Sequence, residues 1–171
     1  MNKSDDRRAD IVDKLADYVL ANGLSASSLR PLADAAGTSD RMLLYYFKDK
    51  SELMSAALER VAQRLGGHLE AQLSGKRLAP EALRKKVMKI VMAPDVWPFM
   101  RVWLEIAAQA AGNDALYRTI GGQIARGFIA FTEARLDVAA PARKREALRL
   151  LASLEGAVLL KSLGIEEIAR L

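Results

Sequence analysis

The stretch Ser28–Lys50, SLRPLADAAGTSDRMLLYYFKDK, decides the reading of the chain. Two short apolar patterns flank a glycine turn. Ser28 is placed to cap a first helix, because Pro31 then falls in its first turn, where a missing N–H has no helical partner to lose. Leu29, Leu32, Ala33 and Ala36 form one apolar face. Gly37 can end that helix in a left-handed conformation. Ser39 can then cap a second helix over Asp40–Tyr46. Helix, a short turn containing glycine, and helix again is helix-turn-helix spacing. The second helix is too short to be stable alone. Leu43 and Phe47, at i and i+4, can anchor it to its neighbours. Exposing Met42, Tyr45 and Tyr46 on so short a helix is unfavourable unless something binds there.

Outward from this stretch the pattern stays helical. Ile11, Val12, Leu15, Ala16, Val19 and Leu20 recur at the 3.6-residue period and predict a helix over Asp5–Ala21, stopped by Asn22-Gly23. Lys3, Arg7 and Arg8 read either as a solvated helix end or as a short arm on phosphate or the minor groove. Asp49 or Ser51 can cap a long helix to about Leu73, which Gly66-Gly67 would interrupt by a kink or a close approach. Further helices follow from Pro80 to about Met92, around Pro98 to Gly112, over Ala115–Leu136, and from Pro141 to about Leu163. A last one is expected from Ile165 to Leu171. There is no strand signal and no internal repeat. The expected class is all-α, with a three-helix helix-turn-helix domain over residues 1–50 and a helical bundle over 51–171.

The chain has 171 residues, 51% of them hydrophobic and 27% charged, enough for a substantial core. It lacks cysteine, which excludes disulfides and thiolate metal sites, and its single histidine, His68, argues against a His-based metal site or a Ser-His-Asp triad. No metal or cofactor is implied, and an enzyme is not expected. With no long apolar run and no leader pattern, the expectation is a cytoplasmic protein without a membrane partner. The net charge of +5 invites a nucleic-acid reading. The excess lies elsewhere: residues 1–60 carry 9 Lys/Arg and 10 Asp/Glu, a net of −1, and residues 61–171 carry 17 and 11, a net of +6. Specificity in the head must come from a few placed cations.

Residues 28–53, SLRPLADAAGTSDRMLLYYFKDKSEL, resemble the pattern T-x-x-x-I-A-x-x-A-G-V-S-x-x-x-L-Y-x-H-F-x-x-K-x-x-L of the TetR/AcrR family of bacterial transcriptional regulators. The resemblance covers about residues 8–60. The chain departs from the pattern at Thr38 in the turn, at Asp40 where lysine is common, at Leu44 for tyrosine and at Tyr46 for histidine. The resemblance implies a homodimer that reads a pseudo-palindromic double-stranded DNA operator and is released by a small-molecule effector, most often as a repressor. Carried over residue by residue, it implies that Ser28 meets phosphate at the start of the first helix of the motif. Arg30 would reach a base edge, where a guanidinium forks onto guanine. Arg41, Met42 and Tyr45 match exposed recognition positions. Thr38, Ser39, Tyr46 and Lys50 match backbone-contacting ones. Asp40 favours the helix N-terminus, repels phosphate and could accept from a cytosine amino group. The alternative is a helical small-molecule-binding protein with a vestigial DNA head.

In the remainder, Trp97, Met100 and Trp103 lie in an aromatic-dense segment, and Met88, Met92, Tyr117 and Phe128 can join it. These residues read as helical core or as an apolar pocket, and the resemblance implies the pocket. Arg101, Glu105 and Gln109 share one stripe, read as solvated, as a surface ion pair, or as a polar end of that pocket. Leu148–Leu163 is apolar almost all round, so it should be buried on two sides. Leu151, Leu154, Val158 and Leu159 are the candidate two-fold contacts, with Ile165–Leu171 or Ala115–Leu136 as the adjoining helix.

Overall fold

Helical periodicity produces eight α-helices in the computed structural model, which describes residues 3–73, 75, 77–165 and 167. They are α1 (Lys3–Asn22), α2 (Leu29–Ala36), α3 (Asp40–Tyr46), α4 (Lys50–Gln72), α5 (Pro80–Val91), α6 (Trp97–Ala111), α7 (Ala115–Glu133) and α8 (Ala140–Ser162). Among the described residues no strand forms, and the architecture is all-α as expected. One isolated parallel bridge joins Leu78 to Leu136. It ends α7 three residues before the expected Leu136, whose side chain is fully buried. The expected last helix lies outside the described residues, apart from Ile165 and Glu167.

The motif forms through the caps read from its sequence. Ser28 is the extended N-cap of α2, although its hydroxyl makes no capping bond. Gly37 is left-handed at φ 65°, and its N–H and that of Thr38 close onto Asp34 and Ala33. Ser39 Oγ accepts from Met42 N–H at 3.3 Å and caps α3. Asp49, and not Ser51, caps α4, accepting from Glu52 N–H at 2.9 Å. Glu52 reaches back to Lys48 N–H at 2.8 Å and to Arg8 at 3.0 Å. The Lys48 amide, more than Arg8, holds the Glu52 carboxyl below its usual range. The Arg8 guanidinium also lies 4.6 Å over the Phe47 ring. Arg8 is therefore a brace between α1, α3 and α4 and not a free arm.

Two cores share α4. The first gathers Ile11, Leu15, Val19, Leu32, Leu43 and Phe47 with the first half of α4, and takes in Val102, Ile106 and Ile120 from α6 and α7. The second joins Leu69 and Leu73 to α5, α6 and α8. Between α1 and α4, Arg60 grips Asp13 with two bonds of 2.9 Å. Arg64 binds Asp13 at 2.8 Å and Asp17 at 2.6 Å. Gly66 and Gly67 neither interrupt α4 nor mark a close approach, since a Cβ on either would meet nothing within 4 Å. Close packing occurs instead at Gly121, where a Cβ would lie 3.2 Å from Ile106 Cγ2 between α7 and α6.

The proposed two-fold face of α8 has to be turned. Leu154 and Val158 are 5% and 3% exposed in the chain's own core, so a partner cannot reach them as surface contacts, and Leu151 is half-buried. Of the four candidates only Leu159 is exposed, at 50%.

Leu43 is the one buried side chain of α3. Leu43→Ala is expected to cost about 2–5 kcal/mol of stability, the range for truncating a buried leucine. Denaturant unfolding of the variant and the parent measures this, and an unchanged midpoint would contradict the anchoring role.

Candidate nucleic-acid interface

With Leu43 turned inward, the helical period sends the neighbours of α3 outward. Met42, Leu44 and Tyr45 are 40%, 46% and 74% exposed. Arg41 is exposed, and among the described residues its guanidinium has no ion pair or hydrogen bond; the same holds for Arg30 on the first turn of α2. Tyr45 and Tyr46 meet edge to face at 5.2 Å. Tyr46 is half-buried against the head core, so Tyr45 is the free ring of the two.

Ser28 is exposed with an uncommitted hydroxyl, Thr38 is half-buried, and Lys50 is exposed as the first residue of α4. Ser39 is exposed, but its hydroxyl oxygen already caps α3. Asp40 is exposed in the first turn of α3, where a carboxylate suits the helix dipole. The ten residues thus fall on the start of α2, the turn, α3 and the start of α4.

Charge is distributed to match. Asp10 pairs with Arg7 and Lys14, Asp13 and Asp17 with Arg60 and Arg64, and Glu52 with Arg8. These pairs engage acids and bases of α1 and α4 alike, and they leave Arg30 and Arg41 free on α2 and α3 beside the unpaired Asp34 and Asp40. With a net charge near zero in residues 1–60, an anion-binding surface here depends on where these two guanidinium groups are placed and not on a local excess of positive charge.

A second feature lies in the bundle. An apolar cavity of about 80 Å3 opens between α4, α6, α7 and α8. Of the seven pocket candidates, Met100, Trp103 and Phe128 line it. Met88 is 6% exposed in the core beside α5. Met92 and Trp97 are held elsewhere by Lys161, whose ammonium donates to the Met92 carbonyl at 2.8 Å and sits 4.2 Å over the Trp97 ring. Tyr117 packs against the head core, where burial, more than Asp114 and Glu105, pushes its hydroxyl up. These four therefore do not line the cavity.

Residues 11–57, which contain the whole motif, match the model of a family described as bacterial regulatory proteins, tetR family. Over this segment the chain is of the TetR-family type. It is similar to the HTH-type transcriptional regulator BetI of Burkholderia thailandensis, 28% identical over 153 residues, 86% of this chain and 77% of that protein. The BetI regulator of Paraburkholderia phymatum is 25% identical over 118 residues, 66% of this chain and 58% of that one. A crystal structure of a TetR-family transcriptional regulator from Cytophaga hutchinsonii shares the fold, with a TM-score of 0.75 over 99% of this chain and 96% of that one at 18% identity. The chain is therefore a DNA-binding transcriptional regulator and not an enzyme. Among its described residues, no helix is long and apolar enough to cross a membrane.

The most informative contacts outside this segment are ones the sequence pattern misassigned. Arg101 is exposed but engaged, and among the described residues it pairs with no acid. Its guanidinium donates to the carbonyls of Leu20 and Ala21 at 2.6 and 3.0 Å, capping the C-terminus of α1. Glu105, one turn on, accepts from Leu24 N–H at 2.6 Å. Gly23 stands between them at φ +80°, and a Cβ there would lie 2.5 Å from the Glu105 carboxylate. Their i, i+4 spacing was visible in the sequence, but their target was not.

Glu155 was also missed, and its signal was a lone acid in the apolar run of α8. It lines the cavity and accepts from Trp103 Nε1 at 2.6 Å. Burial pushes its carboxyl above the usual range, against the opposing indole bond. Folding therefore disfavours the ionised form: the native state gains relative to the unfolded chain below the ordinary carboxyl value and loses that gain as pH rises through the raised one. Glu155→Gln, which retains an acceptor for Trp103, is expected to melt higher than the parent at pH 7.5, with the gap closing near pH 4. Thermal melting at the two pH values checks it, and a gap that widens on acidification would refute it.

Proposed function

We propose that this regulator is a homodimeric repressor that reads a pseudo-palindromic operator through α3 and lets go when a small molecule enters the bundle cavity. The observation that carries the reading is the position of α6. One face of it lines the cavity with Met100, Trp103 and Ile106. Another holds the α1–α2 corner through Arg101 and Glu105. Displacement of α6 by an occupant would move the head, so that cavity and DNA surface bias one equilibrium.

On α3, Arg41, Met42 and Tyr45 form the face offered to a major groove, with Arg30 beside them. Ser28, Thr38, Ser39, Tyr46 and Lys50 are the candidates for backbone contact. Dimerisation is supported by a second exposed line on α8: Leu148, Ala152, Gly156, Leu159 and Leu163, spaced by four, four, three and four residues. The three leucines are 46%, 50% and 68% exposed. On α7, which packs against α8, Gln123, Gly127 and Ala130 are exposed, and Gly127 and Ala130 are small enough for a partner helix to approach closely. An isologous interface of these two helices would pair two heads across a two-fold axis.

Selection from random duplexes is expected to enrich two inverted half-sites about one helical turn apart, bound with an affinity that falls linearly with salt on logarithmic axes. Arg41→Ala should weaken that site by about 1–3 kcal/mol while melting like the parent. Normal operator binding by this variant, or a selection without an inverted repeat, would overturn the recognition assignment. Leu159→Glu should convert the dimer to a monomer by light scattering; a dimer that survives the change puts the interface elsewhere.

A further inference from the structure

Glu155 is a charge without a counter-ion. Its carboxylate faces a cavity whose other lining side chains carry none, among them Phe99, Trp103, Phe128 and Leu151. One oxygen is engaged by the Trp103 indole at 2.6 Å. The other has no hydrogen-bond partner among the described residues, and no lysine or arginine of those residues pairs with the group. A carboxylate withdrawn from water into apolar surroundings is stable only when something compensates it. Here the protein supplies half of that compensation, through the indole, and leaves the second oxygen of this half-buried, cavity-lining residue open.

We propose that the cavity recognises a small lipophilic organic ammonium ion, its N–H donating to the free oxygen of Glu155 and its apolar body packed among Phe99, Trp103 and Phe128. The proposal rests on the ligand-responsive reading above and names the chemistry of the ligand. An ammonium ion neutralises the carboxylate where a neutral alcohol only hydrogen-bonds, and a carboxylate ligand adds like charge. The aromatic lining favours the same choice, because ring faces attract cations. Burial strains the ionised form of Glu155, and a bound cation would relieve that strain, so the group that disfavours the empty state favours the filled one.

Trp97 and Trp103 are the two tryptophans of the chain, so Trp97→Phe leaves Trp103 as the sole indole reporter in the cavity. Its emission is to be followed in the DNA-free protein during titration with 2-phenylethylammonium, 2-phenylethanol and 3-phenylpropionate. The ammonium ion is expected to bind at least tenfold more tightly than the alcohol, with the carboxylate weakest. Glu155→Gln should lower ammonium affinity at least tenfold, to near that of the alcohol, while a cooperative thermal melt shows that the variant is folded. Equal or tighter binding of the alcohol or the carboxylate overturns the proposal. So does an ammonium affinity indifferent to Glu155→Gln, or no saturable ammonium binding in the millimolar range. Operator release by the same probes is a separate measurement. Ammonium binding without release leaves the ligand class standing and removes the repressor-release reading. Release by the alcohol or carboxylate alone does the reverse.

Discussion

The head of this molecule is held to its body at the α1–α2 corner by one cation and one anion from a single helix. Arg101 satisfies carbonyls that α1 leaves open at its C-terminus, and Glu105 satisfies the amide just beyond it. Both side chains are charged and both partners are backbone, so the contact fixes main-chain geometry and leaves side-chain identity in α1 free. The apolar contacts of Val102 and Ile106 run alongside. Because α6 also walls the cavity, the corner and the cavity cannot shift independently without breaking charge-assisted hydrogen bonds.

The helix-turn-helix was legible because its constraints are local. Gly37 must take a left-handed conformation, Ser39 must cap, and Leu43 and Phe47 must share a face. Each is settled within a few residues. The two-fold face of α8 was not legible for the opposite reason. A helix that is apolar all round carries no phase, so periodicity could not tell Leu154, which faces the core, from Leu159, which faces out. The pocket failed in part on long-range chemistry. Only Lys161, far along the chain, explains why Met92 and Trp97 are committed elsewhere.

Composition misled in a related way. The head carries a net charge of −1 over residues 1–60. Counting charges treats Asp13 and Arg41 as cancelling, whereas Asp13 is already occupied by Arg60 and Arg64. What an approaching polyanion meets is set by which charges remain unpaired on α2 and α3 and where they point, and those are Arg30 and Arg41 together with Asp34 and Asp40.

Gly23 has a consequence for how such molecules can be recombined. Its backbone is left-handed at φ +80°, and a side chain there would also have to displace the Glu105 carboxylate. A head transplanted from another regulator would seat on this body only if it brought glycine at the corner and open carbonyls at the end of its first helix. The joint is therefore a keyed fitting: interchange of heads would be limited by Gly23, Arg101 and Glu105, at a corner that belongs neither to the DNA surface nor to the cavity lining.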